Sequence, residues 1–213
     1  MIKSRTPFII VLLLGILPIS AQEQLEHYAL APDYMQQIMT DIISSECTIV
    51  QYSDGAGHYV GHSRDNQFFG WGSYTSNNGN RWIGQWHKGK CVFGILIKGN
   101  IARVGSESHY IEYDLTSGYI NHIFKNEELF TFTLEEAEES PYRFVTTNYD
   151  NGDSYIGETK DGYRHGQGIY FWTNGSFWYG TYCEDYRQGY GALFAPNGNI
   201  SHGHWLGATK QTE

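Results

Sequence analysis

Glycines recur on a 23-residue grid along this chain, and that period constrains the fold more than any other feature. Gly157, Gly166, Gly168 and Gly175 stand at offsets 0, +9, +11 and +18, and Gly180, Gly189, Gly191 and Gly198 repeat them one period later. Gly203 opens a further unit. The N-terminal half keeps the same grid with Gly61, Gly70, Gly72 and Gly79, and Gly84 follows after another 23 residues. Glycine makes up 25 of 213 residues, so three units that match at all four offsets are not a chance alignment. A fixed period of this length marks a repeat architecture, in which each unit buries its apolar surface against its neighbours.

The residues around the first glycine are equally regular. Tyr59-Val60-Gly61, Trp82-Ile83-Gly84, Tyr155-Ile156-Gly157 and Trp178-Tyr179-Gly180 each place an aromatic two before the glycine. Trp86, Tyr182 and Trp205 place another two after it. Alternate residues of a strand share a face, so the rings and the glycine line up, and the missing side chain leaves a slot for a ring. The residue just before the glycine points the other way and is mostly apolar. Asn78-Gly79, Asn151-Gly152, Asn174-Gly175 and Asn197-Gly198 predict two-residue hairpin turns, with positive φ at both positions, joining one unit to the next. Ser53-Asp54-Gly55 predicts a looser turn. One hairpin is marginal alone. The expected fold is therefore all-β: an elongated, twisted, mostly single-layer antiparallel sheet of stacked hairpins, preceded by a short N-terminal helix.

This pattern of aromatic-x-Gly, a Gly-x-Gly pair and a further glycine resembles the MORN repeat. The units from Tyr155 and from Trp178 match best, and the unit from Tyr59 is a good third. In the unit from Trp82, Phe93 and Ile95 occupy the Gly-x-Gly offsets, which leaves its second hairpin loosely defined. The resemblance implies a hairpin array. MORN-containing proteins include membrane tethers, cytoskeletal scaffolds and arrays attached to enzymes, so it also implies a scaffolding role.

The ends and interruptions of the grid divide the chain. Lys3 and Arg5, the apolar run from Phe8 to Leu17 and the small residues before Gln22 predict a cleaved export signal over residues 1–21. Residues 22–46 form a predicted helical cap, because Met35, Ile38, Met39, Ile42 and Ile43 recur at helical spacing. A first repeat block over 47–124 and a second over 141–207 flank an insertion at 125–140, and 208–213 is a tail. Within the insertion, Leu129 to Leu134 alternates like a strand and Glu135 to Glu139 reads as an acidic loop.

Charge and chemistry narrow the function. Lys+Arg number 14 against 23 Asp+Glu, a net charge of -9 that becomes -11 once Lys3 and Arg5 leave with the signal. Such a surface repels nucleic-acid phosphates and disfavours anionic lipid. Cys47, Cys91 and Cys183 allow at most one internal disulfide, and their pairing stays open. His58 with His62, and His202 with His204, share strand faces, yet two ligands each is too few for a metal site, and none is expected. Gly166-Gln167-Gly168 lacks the lysine and following helix of a nucleotide loop. The expectation is therefore no enzyme and no cofactor. The chain reads as an exported scaffold or adaptor (periplasmic, cell-surface or secreted) that binds a protein partner or itself. Lipid or glycan binding through the aromatic face is the alternative. Trp86, Tyr182 and Trp205 are the candidate contact rings.

Overall fold

The computed structural model describes residues 48–125 and 127–211. The predicted export signal, the helical cap, Cys47 and the end of the tail lie outside the described residues. Among the described residues sixteen strands run in sequence order through two sheets, every neighbour antiparallel. The first sheet holds β1 (Thr48–Ser53), β2 (Gly57–Arg64), β3 (Gln67–Ser76), β4 (Arg81–His87), β5 (Lys90–Lys98), β6 (Ile101–Gly105), β7 (His109–Asp114), β8 (Ile120–Lys125) and β9 (Glu128–Thr131). A short helix α1 (Leu134–Glu139) leads to the second sheet. That sheet holds β10 (Tyr142–Asn148), β11 (Ser154–Lys160), β12 (Tyr163–Phe171), β13 (Phe177–Cys183), β14 (Tyr186–Phe194), β15 (Ile200–Leu206) and β16 (Thr209–Lys210).

The repeat glycines fall opposite one another. Gly61, Gly72, Gly84, Gly94 and Gly105 form one row across β2 to β6. Gly157, Gly168, Gly180, Gly191 and Gly203 form the same row across β11 to β15. Over each row lie the aromatic rings. A side chain at Gly72 would meet the Tyr59 hydroxyl at 2.2 Å, one at Gly168 the Tyr155 hydroxyl at 2.3 Å, and one at Gly191 the Trp178 ring at 2.5 Å. Tyr59, Tyr155 and Trp178 are fully buried in this way, each worth roughly 2 kcal/mol or more of transfer free energy. The loosely fitting unit from Trp82 keeps the row because Gly94, one residue out of phase, pairs with Gly84 after a register shift at Gln85/Trp86.

The single-layer expectation is corrected. The face opposite the glycines carries Ile83, Ile95, Ala102 and Val104 from the first sheet and Ile169, Tyr179, Ala192 and Phe194 from the second, and all eight belong to one buried cluster. The two sheets stack, with β4 facing β13, β5 facing β12, and β7 and β8 facing β10. Trp71 meets Tyr179 across the layers at 5.9 Å, and Tyr113 meets Phe144 at 5.5 Å. The chain therefore doubles back, with later strands of the second sheet over earlier strands of the first. The physical reason is that a sheet with one apolar face must bury it against another element.

The turns are also redistributed. At each Asn-Gly site only the glycine has positive φ, and the loop has three residues: Gly79 donates to the Ser76 carbonyl and Ser76 to that of Asn80. Gly152, Gly175 and Gly198 repeat these bonds. Here asparagine serves through its side chain, since Asn151, Asn174 and Asn197 each accept the N–H two residues on at 2.9–3.0 Å. The two-residue turns with both φ positive lie inside the units, at Asp65-Asn66, Lys88-Gly89, Asp161-Gly162 and Glu184-Asp185. At the looser turn Asp54 accepts the N–H groups of Ala56 and Gly57.

The acidic loop is a helix. Thr133 and Glu136 form a reciprocal capping box, Glu135 and Glu136 sit at the positive end of the dipole, and Ala137 is buried. Two carboxylates in a first turn help a helix start, so a run read as solvated loop folds into α1.

Candidate functional site

Beneath the glycine row the register slips once per unit, between Gly61 and Ser63, between Gly157 and Thr159, and between Gly180 and Tyr182. Opposite each slip a glycine takes positive φ: Gly70, Gly166 and Gly189. The residue after the row glycine then falls at the break in register with the following strand, and at His62 and Glu158 the side chain turns to that strand's freed amide. His62 Nδ1 accepts from the Trp71 N–H at 3.3 Å, and Glu158 Oε2 accepts from that of Gln167 at 2.7 Å. These polar groups lie in the inter-sheet core. The other Glu158 oxygen accepts the Tyr113 hydroxyl across the layers at 2.6 Å. Burial, and then the Glu158 charge, hold the Tyr113 hydroxyl well above the ordinary tyrosine range.

The histidine pairs sort differently from their sequence neighbours. His62 packs against His202 of the opposite sheet at 5.0 Å, while His58 bonds the Ser53 hydroxyl at 2.6 Å and His204 meets the Tyr190 ring. Among the described residues no three of His, Cys, Asp and Glu gather into a metal-binding group. Burial, helped by the His202 charge, brings His62 down to about 4. The folded state thus resists a proton that the unfolded chain accepts near pH 6.5, so stability is full above that value and falls as pH drops towards 4. A shift of this size corresponds to on the order of 3 kcal/mol. Denaturant midpoints of the native chain should fall through that window more steeply than those of His62→Asn, and parallel slopes would refute the assignment.

The sequence-derived contact rings are structural. Trp86, Tyr182 and Trp205 are 5%, 2% and 5% exposed, which corrects their reading as an adhesive strip. The Trp86 indole donates to the Gly72 carbonyl at 3.0 Å and that of Trp205 to Gly191 at 3.3 Å. Each ring reaches back over the glycine row of the preceding strand, where no side chain blocks it. Tyr182 stands edge-on to Trp178 at 4.8 Å. Burial drives Tyr182 upward despite the Arg164 and Arg187 charges, and burial also raises Tyr155. Raised folded values mean that the unfolded chain loses these protons first, so stability declines once pH exceeds about 10. In an alkaline titration the tyrosinate absorbance of Tyr113, Tyr155 and Tyr182 should appear only with loss of the near-UV circular dichroism. Complete tyrosine ionisation with that spectrum intact would contradict this burial.

What remains available is the layer above these rings on the outer face of the second sheet. Tyr149, Tyr170 and Trp172 are half-buried there, with Tyr149 stacked on Tyr170 at 5.7 Å and Tyr170 tilted on Trp172 at 5.1 Å. The Tyr170 hydroxyl is steadied by Asp153 at 2.9 Å. Arg164 and Arg187 lie among them. The Arg164 guanidinium sits 5.2 Å from the Tyr182 ring and 5.4 Å from Tyr170, and that of Arg187 sits 5.1 Å from Trp205 and 5.7 Å from both Trp172 and Trp178. Tyr163 and Tyr186, each just before an arginine, are 56% and 69% exposed. Sequence reading passed over the arginines although Tyr163-Arg164 and Tyr186-Arg187 stand 23 residues apart, on the glycine grid. In the first sheet Phe68 takes the arginine's place and stacks on Tyr59 at 3.7 Å.

The Cys91 thiol is not poised to act as a nucleophile. Burial pushes the Cys91 thiol up to about 12, with its contact to the Phe93 carbonyl acting the other way. Cys183 closes β13 in the other sheet.

Fold and site together define a class: a two-layer antiparallel meander with glycine rows and an aromatic-arginine outer face. No protein-family model matches the chain, and no curated protein matches it at a significant level.

Proposed function

We propose that this chain is a non-catalytic, MORN-type repeat scaffold or adaptor, exported to the cell envelope or beyond, that binds a protein partner or a second copy of itself through the outer face of its second sheet. The observation that carries this reading is the composition of that face. Tyr149, Tyr170, Trp172 and the two arginines stand together with part of each side chain open. Tyr, Trp and Arg are the residue types that supply most binding energy at protein interfaces. Their support is stiff, because Tyr149, Tyr170 and Trp172 pack against the buried cluster of Tyr155, Trp178, Tyr182 and Trp205, so little conformational entropy is lost on docking. Three groups capable of chemistry are meanwhile committed to architecture: Glu158 ties two layers, His62 is a neutral core acceptor, and the Cys91 thiol is held protonated.

The test is affinity capture with tagged residues 22–213 from the native envelope, beside a Tyr149→Ala/Trp172→Ala variant. One stoichiometric protein, lost with the variant, is the expected result. Recovery of lipid or polysaccharide without protein would replace this reading with its alternative.

A further inference from the structure

Arg164 and Arg187 occupy the same place in successive repeats and are provided for differently. Arg164 has its own acid. Asp185, in the turn between β13 and β14, accepts the Arg164 backbone N–H and its Nε–H, both at 2.9 Å. The Asp185 carbonyl takes a third bond from the guanidinium at 3.0 Å. One repeat later the corresponding turn is Gly207-Ala208, which has no carboxylate. The Arg187 guanidinium rests among Trp172, Trp178 and Trp205, and no hydrogen bond or ion pair reaches it among the described residues.

We propose that Arg187 is an anion-receiving position, taking a carboxylate from an acidic side chain of the protein partner in the place that Asp185 fills for Arg164. This rests on the partner-binding reading above and names the chemistry of that partner. A guanidinium stacked among indoles keeps its N–H edge open, and a planar fork accepts a carboxylate in two parallel bonds. The surrounding rings lower the local dielectric, which strengthens the pair relative to one in water. Burial already pulls Arg187 below its ordinary value, with no acid to offset it, whereas at Arg164 the Asp185 bond and neighbouring charges outweigh burial. A long acidic tract is disfavoured, because the chain itself carries a net charge of -9. The matching ligand is a single Asp or Glu set among apolar or aromatic residues, whose rings pack on the half-buried Trp172 and Tyr170.

The probe is the peptide acetyl-Phe-Asp-Phe-amide, with acetyl-Phe-Asn-Phe-amide as its neutral twin, titrated into the full chain while the arginine Nε–H signals are followed by NMR. A saturable shift at Arg187 with the Asp peptide is expected, while Arg164 stays fixed on Asp185. Arg187→Gln should weaken binding about tenfold or more. Ala208→Asp leaves the aromatic packing intact and supplies an internal acid in that turn, so it should weaken the peptide about tenfold as well. Equal response to the two peptides, or movement at Arg164 with none at Arg187, overturns the proposal. The envelope capture separates the two readings. A partner that Arg187→Gln retains undiminished removes this subsite and leaves the scaffold standing. No protein with the native chain removes the scaffold and leaves the NMR titration to decide the subsite.

Discussion

Replacing Gly157 with Ala is expected to cost about 4 kcal/mol or more, enough to unfold a protein of ordinary stability. The added carbon would lie 2.5 Å from the Gly168 backbone, 2.5 Å from the Tyr155 hydroxyl and 2.7 Å from the Gln167 carbonyl. Two of those atoms are main chain of the paired strand and cannot move without parting the sheet. The third is held, since Tyr155 is fully buried and its hydroxyl bonds the Glu158 carbonyl at 2.7 Å. Gly55→Ala is the matched control: nothing lies within 4 Å of the new carbon, so its stability should stay within about 0.5 kcal/mol of native. Thermal and denaturant unfolding of the pair decide the matter. Equal stability would mean that the glycine row is not needed for close packing.

The second large effect lies at the carboxylate between the layers. Glu158→Leu is expected to cost about 3–5 kcal/mol, because the Tyr113 hydroxyl and the Gln167 N–H would both be left buried without an acceptor. Glu158→Gln keeps one acceptor oxygen and should cost less than half as much. A double-mutant cycle with Tyr113→Phe isolates the bond between the sheets, and a coupling near zero would show that it contributes nothing to their docking.

These two sites differ in how far they could be read from sequence. Gly157 was legible: its grid position and the flanking Tyr155 already implied a ring laid over a bare stretch of strand. Glu158 was not. As a letter it is one charged residue in a strand, and only the register slip opposite Gly166, with Tyr113 arriving 45 residues away in sequence, makes it a core group. The asparagines show an intermediate case. Asn-Gly marked four of the turns, at Gly79, Gly152, Gly175 and Gly198, but the role assigned to asparagine was a backbone one, whereas at Asn151, Asn174 and Asn197 its side chain closes the loop. The rings were half right. Trp86, Tyr182 and Trp205 were correctly placed on the glycine face, yet their burial depends on Phe68, Arg164 and Arg187 folding over from the neighbouring strand, which no spacing rule announces.

By itself the sequence determined what is local and periodic. Strand identity, turn positions and the glycine-aromatic face follow from a side-chain alternation of two and a repeat of 23 residues, and both are written along the chain. What the tertiary structure alone decided is the pairing of distant surfaces. That the apolar face of β4 would meet β13 and not water, that His62 would find His202, and that Tyr113 would find Glu158, are consequences of doubling one sheet back over another. The hydrophobic effect that drives this stacking is non-directional. It demands a cover for the apolar face without naming one, and the cover is chosen by the length and geometry of the chain between the sheets.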